Sequence, residues 1–322
     1  MFMCKTGKYQ EGGDLGGSVN INGSLGAMIN IKSVSFTSYS SEGGRELNTR
    51  LQSGSILNIT DVVNFIFCES TSQNGGGIRA ILTDPASSLY ISGSSIFDEC
   101  KTAGQGDGMF INANQSKIIN LNSVLLDNYE AIQGRAISTL LVNGGTLTIE
   151  GLTNFTTCKT TGDTKAVEDL GICAVYTILS NVSSKFRIID TVKLDQCEST
   201  KKGGAIYVKD EMSQLIETNK ATFDRCICTK EGGGIYSYIS NEGSFIFTNG
   251  STFTQCKSIS YSGDTIFTGC YSVIPGMRVV AQEQNELYSN QIATYDEVYK
   301  HGLIYLESLT GGDKSGISQF SI

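Results

Sequence analysis

Apolar and polar residues alternate with a period of two along most of the chain. "SLYISGSSIF" (Ser88–Phe97), "TLTIEGLTNF" (Thr146–Phe155), "KFRIIDTVKL" (Lys185–Leu194) and "SFIFTNGSTF" (Ser244–Phe253) all follow this pattern. Such alternation places every second side chain on one face of a strand. Gly, Ser, Asn and Asp separate the segments, so each apolar run predicts short strands joined by turns. The best helical candidate is "AQEQNELYSNQIATYDEVYK", Ala281 to Lys300; no other segment carries a sustained helical stripe.

The alternating segments belong to a longer repeat. Phe-x-x-Cys recurs as Phe65–Cys68, Phe97–Cys100, Phe155–Cys158, Phe223–Cys226 and Phe253–Cys256. Degenerate copies are Phe36–Tyr39, Leu125–Asn128 and Leu194–Cys197. The period is about 30 residues. A glycine element follows most markers: "GGGI" at Gly75, "GDGMFI" at Gly106, "QGRAI" at Gln133, "GGAIYV" at Gly203, "GGGIYSY" at Gly232 and "SGDTIF" at Ser262. One unit delays it to "LGICAVY" at Leu170, behind the insertion "KTTGDTKAVEDLG".

About three strands per 30 residues suit a right-handed parallel β-helix of about eight coils, each stacked roughly 4.8 Å above the last. Leucine-rich repeats would need a Leu-x-x-Leu-x-Leu frame, and WD40 and kelch blades usually carry Trp, of which there is none. The expected organisation is an N-terminal coil or cap over 1–35, β-helix repeats over 36–270, and closing coils over 271–322 that continue into a longer polypeptide. Stacking turns sequence positions into columns. Phe65, Phe97, Phe155, Phe223 and Phe253 are expected to fill the core. Cys68, Cys100, Cys158, Cys197, Cys226 and Cys256, with Asn128 in one coil, are expected to form an inward ladder. The pairs Gly75–Gly76, Gly203–Gly204 and Gly232–Gly233 are expected at the next corner, where positive φ or close backbone approach excludes a Cβ.

Composition narrows the function classes. The formal net charge is −8, and no run of Lys or Arg exceeds two residues. Nucleic acid and anionic membrane are therefore poor partners. No stretch approaches 18 apolar residues, so direct membrane insertion is not expected. Ten cysteines occur without a CxxC, which removes the signature of ribbon zinc sites and thioredoxin-like chemistry. Stacked thiols point the same way and meet disulfide geometry poorly, so a mostly reduced ladder is expected. Six N-x-S/T triplets, at Asn22, Asn58, Asn114, Asn154, Asn181 and Asn249, are candidate glycosylation sites.

The candidate chemistry is sparse. His301 is the only histidine and has no G-x-S-x-G partner. Asp98, Glu99, Asp127, Asp195 and Asp224 lie inside the marker motifs. Stacking is expected to set Glu99 over Asp127 and Asp195 over Asp224, where like charges raise a pKa or hold a cation. A carboxylate pair is also what a polysaccharide lyase or hydrolase on this scaffold needs. The column is variable, however, which favours a solvated edge. The insertion Lys159–Leu170 is the other place where binding specificity would be sought.

The "GGAI" of Gly203–Ile206, paired with Phe-x-x-Cys, resembles the "GGAI" and Phe-x-x-Asn repeats of the polymorphic outer membrane proteins of chlamydiae. It also resembles large β-helix surface proteins of protists. "NELYSNQIAT", Asn285 to Thr294, is similar to a closing motif of such proteins, with Ser289 in place of Gly. The resemblance covers roughly residues 36–300. It implies an extracellular or cell-surface structural or adhesive module that is not an enzyme and has no catalytic residues to carry over. The rod itself is expected to need no cofactor and to offer faces to copies of itself, other surface proteins or glycans.

Overall fold

The computed structural model describes residues 19–37, 40–41, 47–70, 74–102, 104–114, 118–131, 135–160, 174–181, 183–210, 215–229, 232–239, 244–248, 252–258, 266–270, 278–281, 292–296 and 305–306. Every described element is a strand, and every strand pair is parallel. One coil shows the plan: Ile78–Leu82, Ser88–Ile91, Ser95–Asp98 and Lys101–Thr102. The first three strands hydrogen-bond to their equivalents in the coils before and after, and Lys101–Thr102 to Glu69–Ser70 in the coil before. The first and second sheets hold ten strands each and the third holds eight. The chain is thus a β-solenoid. The coil count differs slightly from the eight expected, since the first two sheets run through ten levels and the third through eight.

Coiling begins before residue 36. Val19–Gly23 stacks on Leu47–Leu51, and Met28–Lys32 on Ile56–Thr60. Beyond residue 270, Arg278–Ala281, Ile292–Asp296 and Tyr305–Leu306 extend the first two sheets. The segment with helical period therefore contains a strand, Ile292–Asp296. A fourth strand of two residues, such as Glu69–Ser70 or Ile227–Cys228, follows each buried corner residue. Two residues are too short to show a period, so the sequence pattern gives no sign of it.

The core is built of columns. Phe36, Phe65, Phe97, Leu126, Phe155, Leu194 and Phe223 stand in register and are buried. The Phe36, Phe65 and Phe97 rings stack at 4.8 and 4.6 Å, because one coil rise equals an aromatic stacking distance. The fourth marker is shifted by one residue from the sequence expectation. Leu126 pairs with Phe97, while Leu125 pairs with Ile96.

That shift corrects the ladder. Tyr129, not Asn128, follows Cys100 in the buried column, and its side chain is 1% exposed. Asn128 takes the preceding position, where φ is +57°. Phe67, Glu99, Thr157, Gln196, Arg225 and Gln255 hold the same left-handed conformation one residue before each buried cysteine. The column thus has a strained backbone for most side chains, and Asn is the residue that tolerates it best after Gly.

The described cysteines of the column, Cys68, Cys100, Cys158, Cys197, Cys226 and Cys256, are thiols, as is Cys228 beside it. Their S–H groups donate to backbone carbonyls, as in Cys100 to Phe65 (3.3 Å) and Cys226 to Leu194 (3.4 Å). Burial, and then the neighbouring Cys197 thiol, push the Cys226 pKa up. The hydrogen bond to Cys226, followed by burial, raises that of Cys256. Such thiols are inert small hydrophobes in the folded rod.

The glycine corner behaves as expected at Gly203–Gly204. Gly203 has φ of +67°. A Cβ on Gly204 would collide with the Gly233 carbonyl oxygen and come within 2.9 Å of the Ile227 backbone.

Candidate functional site

Two places depart from the repeat. The first is the corner before the first sheet. Asp107 and Arg135 occupy the position of Gly76 in successive coils, as the register Ile78–Met109–Ile137 shows. Both are buried. The Asp107 carboxylate accepts from the Thr102 N–H (2.8 Å) and the Arg135 N–H (3.1 Å). Burial nevertheless pushes its pKa up to about 7, against the pull of those bonds and of the Arg135 charge.

The Arg135 guanidinium lies 3.9 Å over the Tyr176 ring and donates to Ser138 at 3.4 Å. Its Nε and Nη2 have no hydrogen-bond partner, and burial lowers its pKa. Tyr176, Tyr207 and Tyr236 continue as a stack at 5.4 and 4.9 Å. Lys202 closes it, with Nζ 4.7 Å from the Tyr236 ring and 3.1 Å from its hydroxyl. The cation–tyrosine column was not anticipated from sequence. Its signal was present, since "GDGMFI" and "QGRAI" break the paired glycine.

The second place is the outer edge of the Cys corner. A cleft of about 550 Å³ opens there, lined by Lys159, Gln196, Glu198, Arg225, Ile227 and Cys256 among others. Beside it lie the acidic candidates. Asp195 and Asp224 are in register, as expected. They do not form a bare like-charge pair, because Arg225 joins them. Its Nη2 donates to Asp195 at 2.7 Å and its Nε lies 3.2 Å from Asp224. Lys193 adds a contact to Asp195 at 3.2 Å. Asp195, first through its hydrogen bond, raises the Arg225 pKa.

The other expected pair is also corrected. Asp127 stacks on Asp98, not Glu99, because of the shifted fourth marker. Burial, together with the Asp98 charge, raises the Asp127 pKa. Asn128 Nδ2 donates to Asp98 at 3.0 Å, and its backbone N–H to Asp127 at 2.9 Å. Among the described residues, no group of three or more His, Cys, Asp or Glu side chains is placed to hold a metal ion. Nor, among them, is any helix long and apolar enough to cross a membrane.

The sequon asparagines occupy different settings. Asn22 and Asn114 are exposed, and Asn58, Asn154 and Asn181 are half-buried. Several belong to amide ladders: Asn58 donates to Asn30 (3.0 Å), Asn143 to Asn114 (3.0 Å) and Asn181 to Asn143 (2.7 Å). Asn249, His301 and residues 161–170 of the insertion lie outside the described residues, as do 285–291 of the closing motif. The Phe253 strand pairs with that of Phe223.

No family model, curated protein or solved structure matches this chain.

Proposed function

We propose that the chain is a structural or adhesive module of an extracellular or cell-surface protein, a rigid and noncatalytic rod that presents side-chain columns for contacts. The Arg225 clamp carries this reading. A lyase or hydrolase needs carboxylates free to hold Ca²⁺ or to exchange a proton. Here the register pair Asp195 and Asp224 has its charge taken up by the Arg225 guanidinium between them. Burial and backbone hydrogen bonds shield the ladder thiols from oxidants, so the reduced ladder does not oppose an extracellular setting.

The alternative is a polysaccharide lyase or glycoside hydrolase on the same scaffold. Incubation with polygalacturonate and other acidic glycans, with and without Ca²⁺, tests the choice. No cleavage is expected. Turnover that disappears in Asp195→Asn or Asp224→Asn would overturn the noncatalytic reading.

A further inference from the structure

The outer edge of the Cys corner carries two adjacent columns over six successive coils. The left-handed column runs Phe67, Glu99, Asn128, Thr157, Gln196, Arg225. The next runs Glu69, Lys101, Glu130, Lys159, Glu198, Ile227, its neighbours fixed by strand register and by the aligned corners of Cys100 and Tyr129. The second column alternates in charge, acid then base, until Ile227 interrupts it. Alternation stabilises the stack modestly, as Lys159 and Glu198 show at 3.7 Å, both about half-exposed. It also makes the edge its own complement.

Consider a second copy applied by a twofold axis that crosses the rod between the Glu130 and Lys159 levels. Such an axis reverses the column and preserves its lateral position. Lys101 then faces Glu198 of the second copy, and the Glu130 position faces Lys159. At the ends, Glu69 and Phe67 face Ile227 and Arg225. A parallel arrangement, with the axis along the rod, would instead set acid against acid. Phe67 supplies the apolar element. It is a large hydrophobic side chain left 49% exposed. Its counterpart across the twofold is the cleft that Ile227, Cys256 and Arg225 help to line, where the guanidinium is held by Asp195 and Asp224. A phenyl ring on such a guanidinium is a favourable pairing.

We infer that this edge is an isologous interface, through which two copies of the chain pair side by side and antiparallel, each Phe67 seated in the other's Arg225–Ile227 cleft. The contact would extend along about 24 Å of rod, five coil rises. Symmetry gives two copies of every contact, as in most homodimers. The inference names the surface behind the self-association part of the proposed function. Its test reads oligomeric state alone, so its failure would leave the noncatalytic reading standing.

Sedimentation velocity of the full chain over a concentration series decides it. The wild type is expected to dimerise, less so at high salt. Phe67→Asn keeps a residue suited to positive φ and is expected to be monomeric, as is Glu198→Lys. Adding Lys101→Glu to Glu198→Lys restores opposite charges across the twofold and should bring the dimer back. Circular dichroism melts confirm that each variant folds. A wild type that stays monomeric, a Glu198→Lys variant that still dimerises, or a folded double variant that remains monomeric would each overturn the interface.

Discussion

The corner before the first sheet is built in two ways within one molecule. At Gly203–Gly204, backbone lies on backbone, and no side chain fits between coils. Three and two coils earlier, Asp107 and Arg135 stand at the same position. The first construction holds the corner by close contact. The second keeps backbone contact between coils, with the Asp107 N–H donating to the Arg135 carbonyl at 2.6 Å, and must also satisfy buried charge: the aspartate uses two backbone N–H groups, while the arginine uses a tyrosine face and one weak hydroxyl contact. A repeat thus tolerates a break in its steric rule when the added side chains bring their own partners. The break costs stability, since buried polar atoms such as Arg135 Nε and Nη2 remain unpaired.

The largest test of this contrast is Arg135→Ala. It leaves Asp107 buried without its cation and empties the volume over Tyr176. A loss of about 3–5 kcal/mol in urea-derived stability is expected; a loss below 1 kcal/mol would mean that the charge is not part of the corner's support. Gly204→Ala should follow, at about 3 kcal/mol, because its Cβ meets rigid backbone rather than a side chain that can turn away. An alanine tolerated there would show that the two constructions are interchangeable.

Asp107→Asn isolates the proton. The folded-state pKa of Asp107 is raised to about 7 from an ordinary 3.8, so the native state binds this proton more tightly than the unfolded chain. Its contribution is complete below about pH 4 and is lost as pH rises towards 7. Stability measured between these limits should fall with pH in the wild type and fall less in Asp107→Asn. Equal slopes in the two proteins would rule out the buried carboxyl as the source. The smallest effect belongs to Asn128→Ala, about 1 kcal/mol, since φ of +57° penalises alanine. The same substitution at a residue inside the ladder would cost cavity energy instead, so the measurement separates the two placements of Asn128.

Most of the fold was legible because a stacked coil repeats its constraints at a fixed interval. The Phe and Cys columns, the positive-φ glycines and the parallel stacking follow from the period of about 30 and the alternation within it. The errors cluster in one coil. "LLDNYE" offers no Phe or Cys to fix the phase, and Leu125 and Leu126 are equivalent to a pattern reader. Packing decides between them, because only Leu126 faces Phe97 and Phe155. Choosing that phase also moved Asn128 out of the ladder and Asp98 over Asp127.

The acidic candidates show the same limit in another form. Sequence placed Asp195 beside Asp224 correctly. It could not show that Arg225, in the next column, reaches both.

The sequence by itself determined the solenoid, its repeat and the residues that fill its core, since those depend on local alternation and on which side chains recur. Tertiary structure alone decided the charge partners: the guanidinium between two aspartates, the arginine over the tyrosine stack, and the alternating outer column broken at Ile227. Those contacts depend on how long side chains cross between coils about 4.8 Å apart, a distance that no spacing along the chain records.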